Sequence, residues 1–150
     1  MPISPYVLKI REKIGNDLLL MPSVSVVVRD DEGRILLARH AYQDVWAFPG
    51  GAIDPKEHPY DAAVREMKEE GGIDVEVQRV ISVHGGPEFS WTYDNGDEVC
   101  YVIIAVEARH TGGELTPDGE EVLEFGYFAL EEIDGLGVWP WMKMVLEGLG

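Results

Sequence analysis

Three glutamates sit in the run Arg65-Glu66-Met67-Lys68-Glu69-Glu70. On a helix, positions i, i+3 and i+4 share a face, so Glu66, Glu69 and Glu70 would point within about 100° of one another. Like charges at that spacing cost a helix roughly 0.2 to 0.5 kcal/mol per close pair, so the cluster calls for a compensating cation. Carboxylate oxygens gathered this way suit a hard ion such as Mg²⁺ or Mn²⁺. An acidic face turned to solvent would carry the same residues without holding any ion.

The positioning element is a helix over 59–70, with Pro59 at its first position and Gly71-Gly72 closing its last turn. On its wheel Tyr60, Val64 and Met67 form a packing flank beside the flank of the three glutamates. Upstream, Val7, Leu8, Ile10 and Ile14 predict a helix over 5–14 that ends at Gly15. Strands over 24–28 and 34–39, joined by the Asp30–Gly33 turn, read as a hairpin that begins a sheet. Trp46-Ala47-Phe48-Pro49-Gly50-Gly51 then leads into an extended piece through Ile53, the glycines allowing a bend or close approach. Further strands are expected at 74–83, 88–93, 97–106 and 124–129, with a two-residue turn in Asp94-Asn95-Gly96-Asp97 and a closing helix over 138–148. This order predicts an α/β class with a mixed sheet and helices on its faces.

With 150 residues, the chain is expected to form one domain, with residues 1–21 as an N-terminal helical extension. An apolar content of 45% supports a packed core despite a formal charge of −16. Only 12 basic residues, none in a block, argue against a nucleic-acid partner. No apolar run is long enough for a membrane span, no secretory signal is evident, and the lone Cys100 fits a reducing compartment, so a cytoplasmic protein is expected. The apolar run Leu18-Leu19-Leu20-Met21 could pair with a second copy, giving a homodimer.

The spacing Gly51, five residues, Glu57, seven residues, Arg65-Glu66, an apolar residue, any residue, Glu69-Glu70, any residue, Gly72-Ile73 resembles the Nudix box at every defining position. The preceding segment 46–50 looks like the family's usual approach to it, and Met67 stands where a branched aliphatic is commoner. The resemblance implies an α/β/α sandwich that hydrolyses the pyrophosphate bond of a nucleoside diphosphate linked to another group, using Mg²⁺ or Mn²⁺. It implies Glu66, Glu69 and Glu70 as metal ligands, with the backbone carbonyl of Gly50 or Gly51 as a further one. Glu57 and Arg65 would orient those ligands. The general base would come from the box or from the Asp118–Glu121 turn, where Glu120 and Glu121 are the candidates. A noncatalytic nucleotide-sensing module on the same fold is the alternative.

Substrate signals outside the box are sparser. Pro87 falls fifteen residues after Gly72, one short of the sixteen typical of family members that cleave ADP-ribose; a turn at Gly85-Gly86-Pro87 explains it equally. Trp46 and Phe48 could face a nucleotide or pack inward, and Phe89, Trp91 and Tyr93 would share one face of a strand and either stack on a base or fill the core. Arg39, with His40 at the end of the second strand, could meet a phosphate or face solvent.

Overall fold

A computed structural model describes residues 3–150. Helix α1 spans Pro5–Ile14, opened by Ser4, whose Oγ accepts the Val7 N–H at 3.2 Å, and closed by Gly15. No residue of α1 is buried, and the Arg11 guanidinium ties the segment down by donating to the carbonyls of Gly15, Asp17 and Glu98. Strand β1 (Leu19–Val28) begins straight after it, so the predicted helical extension ends early and Leu19–Met21 already belong to the sheet.

β1, β4 (Gly50–Ala52), β5 (Asp74–His84), β6 (Ser90–Thr92) and β7 (Glu98–Gly112) build the larger sheet, in the order β4-β1-β7-β5 with β6 also on β7. β1 runs parallel to β7 from Leu19↔Val99 to Val28↔Ala108, and the other pairs are antiparallel, so the sheet is mixed as expected. A second sheet orders β3 (Val45–Ala47), β2 (Ile35–His40) and β8 (Val122–Phe128).

The predicted hairpin of the first two strands is therefore corrected: β1 and β2 lie in different sheets and touch as strands only through the Arg29↔Ile35 bridge. A strand has two edges, and β4 and β7 occupy both edges of β1. The turn itself forms, closed by Asp30, whose carboxylate accepts the Glu32 and Arg34 N–H groups and the Arg34 side chain. Both faces of β1 are covered, which suits its run of valines. Val24, Val26 and Val28 pack with Ala62, Ala63, Met67 and Ile73, whereas Val27 packs with Ile35, Leu37, Phe48, Met142 and Val145 on the other side.

Helix α2 (Pro59–Gly71) follows its expected signals: Pro59 leads, His58 Nδ1 accepts the Tyr60 N–H, and Gly72 adopts the left-handed conformation (φ 68°). Its faces differ from the wheel. Ala62, Ala63, Glu66, Met67 and Glu70 are buried while Val64 is 38% exposed, so two of the glutamates lie on the packed side. Three smaller differences follow the same logic of tertiary partners. Phe89 ends a one-turn 3₁₀ helix, so only Trp91 of the three aromatics lies in strand β6, while Phe89 meets His84 and Trp141 and Tyr93 meets Tyr42. Tyr93 N–H donates to the Asp97 carbonyl, leaving a three-residue loop where a two-residue turn was expected. A short helix α3 (Leu130–Asp134), absent from the sequence reading, precedes α4 (Pro140–Glu147) and buries Ile133.

Met67 joins α2 to the large sheet with no exposed surface. Met67→Ala is expected to cost about 2 to 5 kcal/mol through lost contacts and the cavity left behind. Urea denaturation measures this, and a loss well under about 1 kcal/mol would show that α2 does not depend on this contact.

Candidate active site

Arg65, at the middle of α2, organises the acidic residues around it. Its Nε and Nη2 donate to the two Glu57 carboxylate oxygens at 2.8 and 2.9 Å, a paired geometry that is among the stronger protein hydrogen bonds. Nη2 also donates to the Ala52 carbonyl of β4, and Nη1 reaches Glu66 Oε1 at 3.0 Å and Glu69 Oε2 at 3.3 Å. One guanidinium thus fastens the loop before α2, strand β4 and two helix carboxylates together. Its bonds hold the Glu57 carboxyl below the usual range.

Glu66 and Glu70 occupy a different environment from Glu69. Both are buried, while the Glu69 side chain is half exposed against Arg65. Burial pushes the Glu66 pKa up to about 7 against the opposing pull of Arg65. Burial also raises Glu70 well above the usual range, with the Glu66 charge adding to it. Glu66 Oε2 is buried without a hydrogen-bond partner, and Glu70 Oε2 accepts only the long Gly50 N–H bond of 3.3 Å. A divalent cation would remove the cost of both charges at once, and the oxygen-only donors suit a hard ion.

The expected trio is brought together only in part. Among the described residues no group of three or more His, Cys, Asp or Glu side chains is arranged to hold an ion; Arg65 draws Glu69 toward itself, leaving Glu66 and Glu70 as the buried pair. Gly50 and Gly51 lie beside that pair on β4. At Gly50 (φ 151°) an added Cβ would come within 2.0 Å of the Val24 carbonyl oxygen, so glycine lets this backbone run against β1 and present its N–H to Glu70.

The 118–121 turn also reaches this place. Asp118 N–H donates to the Glu70 carbonyl at 3.1 Å and Thr116 N–H to the Gly71 carbonyl, capping the end of α2. The Asp118 carboxylate accepts the N–H groups of Glu120, Glu121 and Val122, and its charge contributes to the rise of Glu70. Glu120 and Glu121 are thus on a turn adjoining the box, Glu120 exposed and Glu121 half-buried. Within this turn, Asp118 is the residue whose backbone N–H meets the Glu70 carbonyl.

The remaining candidates have other partners. Arg39 binds Asp44 at 2.6 Å and Glu124 at 3.0 Å, which satisfies the charge proposed for a phosphate. Trp46 meets Phe128 edge-on, and buried Phe48 meets Trp141 in the same manner, so the two rings pack inward. Pro87 opens the exposed 3₁₀ turn, placing the next ring, Phe89, on His84. His40 donates from Nε2 to the Phe48 carbonyl at 3.4 Å, and burial lowers its pKa, so it is not the cation that a phosphate contact would want.

The profile described as the NUDIX domain matches residues 19–148, and the chain belongs to this family. Its curated relatives include an RNA pyrophosphohydrolase of Pseudomonas fluorescens (strain SBW25), 40% identical over 65 residues, 43% of this chain and 41% of the relative. Another, from Pseudomonas putida (strain GB-1), is 38% identical over 82 residues, 44% of this chain and 52% of the relative. The chain spans about half the length of the curated relatives it matches. Among solved structures, an ADP-ribose pyrophosphatase from Streptococcus suis 89-1591 aligns with TM-score 0.60 and 27% identity over 85% of this chain and 90% of that one. A UDP-X diphosphatase aligns with TM-score 0.68 over 96% of this chain and 70% of that one, and at 18% identity it speaks for the fold alone. No helix among the described residues is long and apolar enough to cross a membrane.

The buried pair gives the site a pH signature. With the folded Glu66 raised from 4.5 to about 7, the folded chain keeps a proton that the unfolded chain has released. Its contribution to stability is then fully present below about pH 4.5 and is lost as the pH rises through about 7; Glu70 acts in the same direction. Glu57, shifted down by Arg65, has the opposite slope, confined to more acid pH. In chelator, the melting temperature should fall between about pH 5 and 8, and the Glu66→Gln, Glu70→Gln double variant should show a flatter profile. Equal slopes in the two proteins would rule out the buried pair as the cause.

Proposed function

We propose that this protein is a divalent-cation-dependent hydrolase of pyrophosphate bonds in nucleoside diphosphate derivatives. The observation that carries the reading is the pair Glu66 and Glu70, two carboxylates buried without a full set of partners inside a complete Nudix box. Glu66 and Glu70 would hold Mg²⁺ or Mn²⁺, with Glu69 and the carbonyl of Gly51 as further ligands once Glu69 leaves Arg65. A bound ion would neutralise the pyrophosphate and lower the pKa of a water so that it can give up a proton and attack phosphorus. Arg65 and Glu57 keep the carboxylates oriented, Gly50 N–H fixes one Glu70 oxygen, and the turn at the end of α2 offers Glu120 or Glu121 to take the proton from water. Positioning and electrostatics would do most of the catalytic work, as in other phosphoryl transfers.

The acidic surface argues for a small nucleotide substrate, such as ADP-ribose, a dinucleoside polyphosphate, a nucleotide sugar or a modified nucleoside triphosphate. The name of the Pseudomonas relatives adds RNA as a substrate class, against the expectation from charge. A noncatalytic nucleotide sensor is the competing reading, and the full set of box carboxylates argues against it. We further read residues 1–150 as one domain acting in the cytoplasm, with exposed Tyr6, Leu8, Leu18 and Leu20 available to a second copy.

The test is turnover of ADP-ribose, dinucleoside polyphosphates, UDP-sugars, oxidised nucleoside triphosphates and triphosphate-ended RNA with Mg²⁺ or Mn²⁺, products being separated by chromatography. Glu70→Gln should lower turnover of the cleaved compound by about 100-fold or more, in line with losing a metal ligand, without lowering the melting temperature. Chelator should stop the reaction. Inertness toward the whole panel would favour the sensor, and a fully active Glu70→Gln would remove Glu70 from the site.

A further inference from the structure

His40 lies at the irregularity between Arg39 and His40 where β2 departs from regular pairing with β8. Its Nε2 is 3.4 Å from the Phe48 carbonyl oxygen, and because a carbonyl can only accept, Nε2 carries the proton. Phe48 is two residues from Gly50, and the backbone between them is held from the other side as well. Val26 N–H of β1 donates to the Pro49 carbonyl at 2.9 Å, and Gly50 runs too close to Val24 for any side chain. The free end of this arrangement is the Gly50 N–H, 3.3 Å from Glu70 Oε2.

In this set His40 is the side chain contributed by the smaller sheet. The other hydrogen bonds of this stretch come from β1 and α2, which belong with the larger sheet and its covering helix, while the Phe48 ring is packed in the core against Ile35, Leu37 and Trp141. The ring is half buried and remains neutral at neutral pH, so it acts here as one N–H donor of fixed direction. We propose that His40 is a positioning residue, holding the backbone of residues 48–50 so that Gly50 N–H stays aimed at Glu70. It does so without touching the buried carboxylates. The activity arm of its test rests on the hydrolase reading above; the exchange arm does not.

The test compares His40→Phe, which keeps a ring but loses the donor, with His40→Gln, whose amide nitrogen can reach the same carbonyl. In metal-free protein the Gly50 amide should exchange with solvent about fivefold faster in His40→Phe, the scale of one lost hydrogen bond, and return to within about twofold of the parent in His40→Gln. With a substrate the protein cleaves, kcat should fall about fivefold in His40→Phe with KM unchanged, and His40→Gln should recover it. Unchanged Gly50 exchange in His40→Phe would overturn the proposal. A His40→Gln as impaired in kcat as His40→Phe would also overturn it, by showing that the imidazole itself is required. Should His40→Phe not fold, His40→Asn, too short to reach Phe48, must show the faster exchange. If no compound is cleaved by the parent protein, the exchange result alone decides the role of His40, and the hydrolase reading fails separately.

Discussion

Two carboxylates taken out of water on one turn of α2 are the constraint around which the rest is arranged. Glu66 and Glu70 lie on the side of the helix that carries Met67 into the core, so they are buried by the same packing that stabilises the domain. Burying a charge without partners costs several kcal/mol, and a fold tolerates it only where something else is gained. Arg65 offsets part of this for Glu66; Glu70 has one weak backbone donor. The remaining electrostatic deficit is what a cation would relieve, so the feature that makes the helix costly is also the one that makes it useful.

Rigidity around this pair comes from three directions. Arg65 links α2 to the Glu57 loop and to β4, the residues 116–118 cap the end of the helix, and β4 lies against β1 with no room for a side chain at Gly50. The parallel pairing of β1 with β7 gives β4 a fixed platform, since β1 is covered on both faces and paired at both edges. Function and fold therefore share residues here: the glycine that permits close strand approach also presents its N–H to Glu70.

Much of this could be read without coordinates. Pro59 and Gly72 marked the ends of α2, Gly15 ended α1, and the spacing from Gly51 to Gly72 carried the family resemblance, because capping and motif spacing depend on nearby residues. The errors share one source. Periodicity predicts that Val64 packs, yet it is exposed; that β1 and β2 pair, yet they part into two sheets; and that Phe89 lies in a strand, yet it ends a 3₁₀ turn. Each of these depends on which distant segment arrives at a given edge or face, and periodicity says nothing about that. Arg39 is the same case at the level of charge, since Asp44 and Glu124 come to it from two different segments.

By itself the sequence determined that three glutamates occupy one helix, in register with the glycines, arginine and outer glutamate of a Nudix box. Tertiary structure decided how those glutamates divide: Arg65 keeps Glu69 at the surface, and packing against the sheet buries Glu66 and Glu70 and raises their pKa values. The physical reason is dielectric. Helical spacing sets the distances between charges along the chain, but only the surrounding layers set how much water those charges lose, and that loss separates a solvated acidic face from a buried pair of carboxylates.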